Sequence, residues 1–117
     1  MSVPSVSVEP RVRLAVWALL RDIHGYRLVG RRHPELSPRL SSPVERLDLA
    51  AGEAVTESGR RYTLIGQPDP ELAAGVMAMF YQWHPFADPV LVSLEELPRI
   101  AEEMAVAAQM AQALRDM

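Results

Sequence analysis

The sharpest alternation of apolar and polar positions lies between Val44 and Gly66, in the run VERLDLAAGEAVTESGRRYTLIG. Leu47 and Leu49 alternate with Arg46 and Asp48, the period-two signature of a half-buried strand. Ala51-Gly52 turns the chain, with Gly52 free to take a positive φ. Ala54-Val55-Thr56-Glu57 is a second run, Ser58-Gly59-Arg60 a second turn, and Arg61 to Ile65 a third run. If Glu57 pairs with Arg61, Thr56 falls opposite Tyr62 and Ala54 opposite Leu64. Leu47, Leu49, Ala54, Tyr62 and Leu64 then share one face, and a slip of one residue would bury Glu57 and Arg61.

Upstream, the pattern from Arg11 to Leu20 fits two templates. Val12, Ala15, Val16, Leu19, Leu20 and Ile23 lie on one helical face; Val12, Leu14, Val16, Ala18 and Leu20 lie on one strand face. The segment Asp22-Ile23-His24-Gly25-Tyr26 favours the strand, because it suits a three-residue hairpin loop with Gly25 in the left-handed position. Asp22 opposite Tyr26 puts Leu20 against Leu28 and Ala18 against Gly30. On the other face Arg13, Trp17, Arg21, Arg27 and Arg31 come together. Arg32 to Pro43 carries three prolines and reads as a loop, and residues 1–10 as a loose tail.

Downstream the period changes. Asp69 can cap a helix that starts at Pro70 and runs from about Glu71 to Trp83, with Leu72, Val76, Met79, Phe80 and Trp83 as its core stripe. Ala74, Met77, Ala78 and Tyr81 occupy the opposite side, so the helix is apolar nearly all round. Such a helix is either covered on both sides or faces a partner. Met77 and Tyr81, with Ala74 and Ala78, are therefore the candidate interface. Val90-Leu91-Val92 reads as a short strand, and Ser93-Leu94-Glu95-Glu96 as a capping box. A single turn at 94–97 precedes a helix from Pro98 to about Arg115, with Ile100, Met104, Ala107, Ala111 and Leu114 along one face. The fold class is α+β: an antiparallel sheet of four to six strands, built from a hairpin and a three-strand meander, with both helices packed on one face. Residues 11–117 form a single domain.

Composition narrows the function. The 117 residues carry no cysteine, which excludes disulfides and thiolate metal sites and suits a reducing, cytoplasmic setting. The start lacks the positive n-region of a signal peptide, and no apolar run reaches the ~20 residues that span a bilayer, so no membrane partner is expected. All twelve Lys/Arg positions are arginine, as expected of a GC-rich genome. Charge is divided: residues 1–66 hold ten arginines and seven acids, residues 67–117 two arginines and eight acids. Either the two halves attract each other or each meets a separate partner. An aromatic among guanidinium groups can stack on bases, so Arg13, Trp17, Arg27 and Arg31 are a candidate contact for nucleic acid or an acidic partner. The same residues also suit a Trp17–Arg31 cation–π pair packed under a neighbouring element. Neither a phosphate-binding glycine loop nor a G-x-S-x-G elbow is present, and His24, His33 and His84 are isolated from any ligand set. No catalytic residue, cofactor or metal is assigned.

The stretch S-G-R-x-Y-x-L-x-G, carried by Ser58, Gly59, Arg60, Tyr62, Leu64 and Gly66 with Arg39, Ser41, Ser42, Val44, Asp48 and Thr56 ahead of it, resembles small proteins of GC-rich proteobacteria and their mobile elements. The resemblance spans residues 39–68 and implies a fold, not an activity. In general character the chain is also similar to phage-encoded inhibitors of the anti-CRISPR kind. The expectation is a non-enzymatic module that binds a protein partner, itself included, by occupying its surface; nucleic-acid contact through the arginine face and a small enzyme are the alternatives.

Overall fold

A computed structural model describes residues 5, 6 and 8–117. In chain order the elements are β1 (Arg11–Asp22), β2 (Gly25–Arg32), β3 (Ser37–Asp48), β4 (Glu53–Thr56), β5 (Arg61–Leu64), α1 (Pro70–Tyr81), β6 (Val90–Leu91) and α2 (Leu97–Arg115). The fold is α+β. Strands β1 to β5 run antiparallel, each to the one before. Five such strands bring the last one back parallel to the first, and Arg11–Leu14 of β1 pairs with Arg61–Leu64 of β5. The sheet therefore closes on itself as a small barrel and is mixed, not wholly antiparallel. β6 adds a short antiparallel pairing at the far end of β1, Leu20 against Leu91.

Closure depends on a bulge. Ala15 pairs with Arg31 and Ala18 with Val29, so Val16 and Trp17 together face the single residue Gly30. Val16 takes φ 48°, a left-handed backbone that a β-branched residue adopts only when its surroundings impose it. Gly30 makes room: a Cβ there would lie 2.8 Å from the Ala15 carbonyl oxygen and 3.0 Å from Trp17 Cα. The bulge reverses the alternation of β1. Val12 and Leu14 point into the barrel before it, Trp17 and Leu19 after it, while Ala18 and Leu20 turn to the outer side. The Trp17 carbonyl accepts from the Asp69 amide at 2.8 Å, and its indole N–H donates to the Gly66 carbonyl at 3.1 Å, so the irregular residue is satisfied by the β5–α1 connection.

Two cores result. The barrel core joins Val12, Leu14, Trp17, Leu19, Leu28, Leu47, Ala54, Tyr62 and Leu64 to Leu97, Ile100, Ala101 and Met104 of α2. The outer core packs Ala73, Val76 and Tyr81 of α1 on Ala18, Leu20 and Val29. The helices thus cover opposite faces of β1 instead of one. α1 starts as its sequence signal requires, the Asp69 carboxylate accepting from the Leu72 amide at 3.0 Å; the Ser93 hydroxyl accepts from the Glu96 amide at 3.2 Å and caps the turn that leads into α2, whose own N-cap position, Glu96, makes no side-chain capping bond. Burial along α2 ends at Met104, so Ala107, Ala111 and Leu114, expected in the core, are exposed.

Other sequence expectations shift in register. In the first hairpin Asp22 pairs with Gly25 and Leu20 with Arg27, one residue from the expected pairing, because Asp22 Oδ1 accepts from the His24 amide at 2.8 Å and tightens the turn to Ile23-His24. In the meander Ala54 pairs with Tyr62 rather than Leu64. Thr56 instead meets Arg60, its amide donating to the Arg60 carbonyl at 3.0 Å across a loop with Gly59 at φ 89°. That slip is of two residues and leaves every side chain on its expected face.

β3 begins at Ser37, inside the expected proline loop. Its first half pairs with β2 alone, and a strand bonded on one side tolerates Pro38 and Pro43. Arg39 spans the open side. It is 6 % exposed, and its Nε donates to the Tyr62 hydroxyl at 3.2 Å. Of the expected loose tail, residues 1–4 and 7 lie outside the described residues. Glu9 and Pro10 are anchored: Glu9 pairs with Arg32, and the Pro10 carbonyl accepts from the Arg61 amide at 2.8 Å.

Gly30→Ala places a methyl group against three backbone atoms of the bulge, none of which can rotate away. The substitution is expected to destabilise the fold by about 1–3 kcal/mol, read as a lower midpoint in urea unfolding. A midpoint equal to the parent's would mean that β1 closes the barrel without the bulge.

Candidate functional site

At the end of the molecule where β1 turns into β2, α1 ends and a buried carboxylate meets it. Asp22 closes β1 with its side chain on the outer face, beside Leu20 and diagonal to Arg27 across the hairpin. Its Oδ2 accepts from the Tyr81 hydroxyl at 2.7 Å and lies 3.3 Å from Arg27 Nε, while Oδ1 holds the His24 amide. Burial and the adjacent Asp22 carboxylate push the Tyr81 hydroxyl well above the ordinary tyrosine range, with Arg27 opposing them in part. Tyr81 is thus a protonated donor that joins the last turn of α1 to the sheet.

That bond orients the helix. With Ala73, Val76 and Tyr81 inward, Leu72, Met79, Phe80 and Trp83 turn outward. Val76 is buried and Ala78 exposed as expected, but Leu72, Met79, Phe80 and Trp83, expected in the core stripe, face outward, and Tyr81, expected outward, is buried. Tyr81 is a core residue and Met77 is half-buried beside it; Ala74 is half-buried and Ala78 exposed. Ala73, fully buried, is what the sheet accepts at close approach, and the larger Phe80 and Trp83 stay outside.

The chain then makes a single 3₁₀ turn at Pro85–Ala87, and the Ala87 carbonyl accepts from the Ile23 amide at 3.1 Å. This fixes the aromatic run over the hairpin tip. Trp83 is 80 % exposed and Phe86 93 %, with Ile23 also exposed beside them. Together with Phe80, His24 and His84 they rim a cavity of about 540 Å³ whose base is Asp22, Arg27 and Tyr81. No serine or threonine lines this cavity, and its carboxylate accepts two hydrogen bonds, from the His24 amide and the Tyr81 hydroxyl, and forms an ion pair with Arg27. What the site offers is apolar contact area, imidazole N–H groups and the outer nitrogens of Arg27. Among the described residues no group of His, Asp and Glu is placed to hold a metal ion.

The arginine face expected from the first hairpin is dispersed. Trp17, 3 % exposed, is in the barrel core, and Arg27 is tied to Asp22 under α1. Arg13 is exposed on the barrel wall, and Arg31 donates to the Leu36 carbonyl at 3.0 Å. The bulge separates them by changing which side of β1 Trp17 occupies. Nor do the charged halves pair in the contacts seen: Arg27–Asp22, Arg32–Glu9 and Arg32–Glu35 lie in the first half, Arg99–Glu96 and Arg99–Glu103 in the second. Sequence reasoning passed over Asp22 and Phe86 as site residues and assigned Trp83 to the core stripe of the first helix. The signal against that assignment was Pro85, which ends the helix and leaves Trp83 and Phe86 on either side of a proline-broken connector.

Among the described residues no helix is long and apolar enough to cross a membrane. No family model, curated protein or solved structure matches the chain.

The folded-state pKa of Tyr81 lies above the value of about 10 expected in the unfolded chain. The native state keeps a proton that the unfolded state loses, so stability falls as pH rises past about 10, by at most about 1.4 kcal/mol per pH unit. Tyr81→Phe is expected to lose this alkaline slope and, at neutral pH, to cost about 1–3 kcal/mol because Asp22 loses a buried partner. Urea unfolding of both proteins across the alkaline range is the measurement; parallel curves would show that Tyr81 is not held protonated.

Proposed function

We propose that this protein is a non-enzymatic binding module that acts by occupying the surface of a protein partner, and that it docks through Phe80, Trp83 and Phe86 around the Asp22–Arg27–Tyr81 base. One observation carries the reading: two large aromatics, Trp83 and Phe86, stand largely in solvent on a turn hydrogen-bonded to the hairpin through Ala87 and Ile23. Exposed aromatics clustered around a concave base are the usual anchors of protein interfaces, where tryptophan and tyrosine dominate the binding energy. The partner surface that fits is an apolar recess able to take the two exposed aromatics, with polar groups at its border for His24 and His84.

The two tryptophans separate cleanly as probes, one buried in the barrel and one in solvent. A partner captured from native host extract, purified and recombined at defined stoichiometry, is expected to shield Trp83 from acrylamide quenching. Trp83→Ala combined with Phe86→Ala is expected to weaken that complex by at least about 30-fold. Each substitution should change folding stability by no more than about 0.5 kcal/mol, because both side chains are exposed. Undiminished binding by the double variant would remove this surface from the function.

A further inference from the structure

The opposite end of the barrel, where β1 and β5 begin, carries arginine on its inner side. Register places it there. Arg32 of β2 pairs with Leu14, a core residue of β1, and Arg39 of β3 pairs with Gly30, two residues from Arg32 and so on the same side. Arg60 stands two residues before Tyr62, and both are buried. Direct contacts join the group. Arg39 Nε donates to the Tyr62 hydroxyl at 3.2 Å. Glu9 links the other two, its carboxylate paired with Arg32 and its carbonyl accepting from Arg60 Nε at 3.0 Å. A second acid, Glu35, reaches Arg32 from the solvent side at 3.8 Å. Arg39 is left without a counter-charge. It forms no ion pair among the described residues, and its Nη2 is buried with no hydrogen-bond partner in the protein. Its contact with the Tyr62 ring, 5.9 Å from guanidinium carbon to ring centre, is at the outer limit of a cation–π interaction. A buried cation in this condition is costly and favours any anion that can reach it.

We infer that this end of the barrel is a receptor for a phosphate-class oxyanion, held by Arg32, Arg39 and the Tyr62 hydroxyl, and that the Glu9 carboxylate is the internal anion it displaces. The donors come from three strands, β2, β3 and β5. The Tyr62 hydroxyl accepts from Arg39 and keeps its own hydrogen to donate. A carboxylate has two oxygens and suits one guanidinium fork, which is how Glu9 serves Arg32. A phosphate group brings three acceptor oxygens and close to two negative charges, enough for two forks and a hydroxyl together. Arg39 Nη2 is closed to solvent, so an anion reaches it by moving a neighbouring group. Exchange at Arg32 needs the Glu9 side chain alone, because the Glu9 and Pro10 carbonyls can stay bonded to Arg60 and to the Arg61 amide. None of these residues belongs to the Trp83 and Phe86 surface, so this site stands or falls separately from that one.

Inorganic phosphate is the probe, titrated by calorimetry and by nitrogen NMR of the arginine Nε–H groups, in chloride buffer at constant ionic strength. The parent protein is expected to bind it saturably at one site, with the Arg39 Nε–H resonance shifting along the same curve. Glu9→Gln removes the competing charge and is expected to bind at least about fivefold more tightly. Arg39→Met is expected to bind at least about tenfold more weakly, with near-ultraviolet circular dichroism unchanged. Arg39→Lys keeps the charge and loses the fork; it serves where the methionine variant fails to fold, and should weaken binding at least about threefold. O-phosphoserine as a second titrant distinguishes the source: binding of both assigns the site to a phosphate monoester, and binding of inorganic phosphate alone to the free ion. No saturable binding by the parent or by Glu9→Gln would overturn the inference. So would binding that the Arg39 variants leave unchanged, which would mark a general salt effect at the surface.

Discussion

The bulge at Val16-Trp17 is the constraint on which the rest of the structure depends. Without it β1 would present one apolar face and one arginine-rich face, as simple alternation suggests. With it, one strand feeds two cores: Trp17 and Leu19 continue the barrel interior begun by Val12 and Leu14, and Ala18, Leu20 and Asp22 become a landing surface for α1. The cost is local strain at Val16 and the loss of any side chain at position 30. The return is a closed ring of strands, in which β1 pairs with β5 from Arg11 to Leu14 and with β2 from Leu14 onward, and its later carbonyls bond to Asp69 and Val92.

From that surface the orientation of α1 follows. A helix apolar on all sides has no intrinsic preference for which side is buried, so the decision falls to shape and to polar satisfaction. Ala73 and Val76 allow close approach, and the Tyr81–Asp22 hydrogen bond rewards one rotation over others. A buried carboxylate without that donor would be costly. The outward placement of Phe80 and Trp83 is therefore a consequence of how Asp22 is satisfied, which in turn follows from the bulge that put Asp22 on the outer side.

This hierarchy explains what could be read from the chain alone. The meander faces were legible because period two survives a register slip of two, so Leu47, Ala54, Tyr62 and Leu64 are buried although their partners differ from those expected. The start of α1 and the turn ahead of α2 were legible because Asp69 and Ser93 act on backbone amides within three residues. The bulge was not. Its cause is a glycine fourteen positions away, and no local pattern at Val16 announces a positive φ. Both misplaced site groups trace to such non-local choices: the arginine face to the bulge, and Met77 with Tyr81 to a helix whose composition leaves its rotation undetermined.

The two surfaces left uncovered differ in kind, and the difference bears on how they are used. The patch at Trp83 and Phe86 is small and aromatic and stands over a polar base, properties that suit specific recognition. The end of α2 is long, built mainly of alanine and methionine, with Gln109, Gln112, Arg115 and Asp116 as its polar residues. They belong to separate cores on opposite faces of β1.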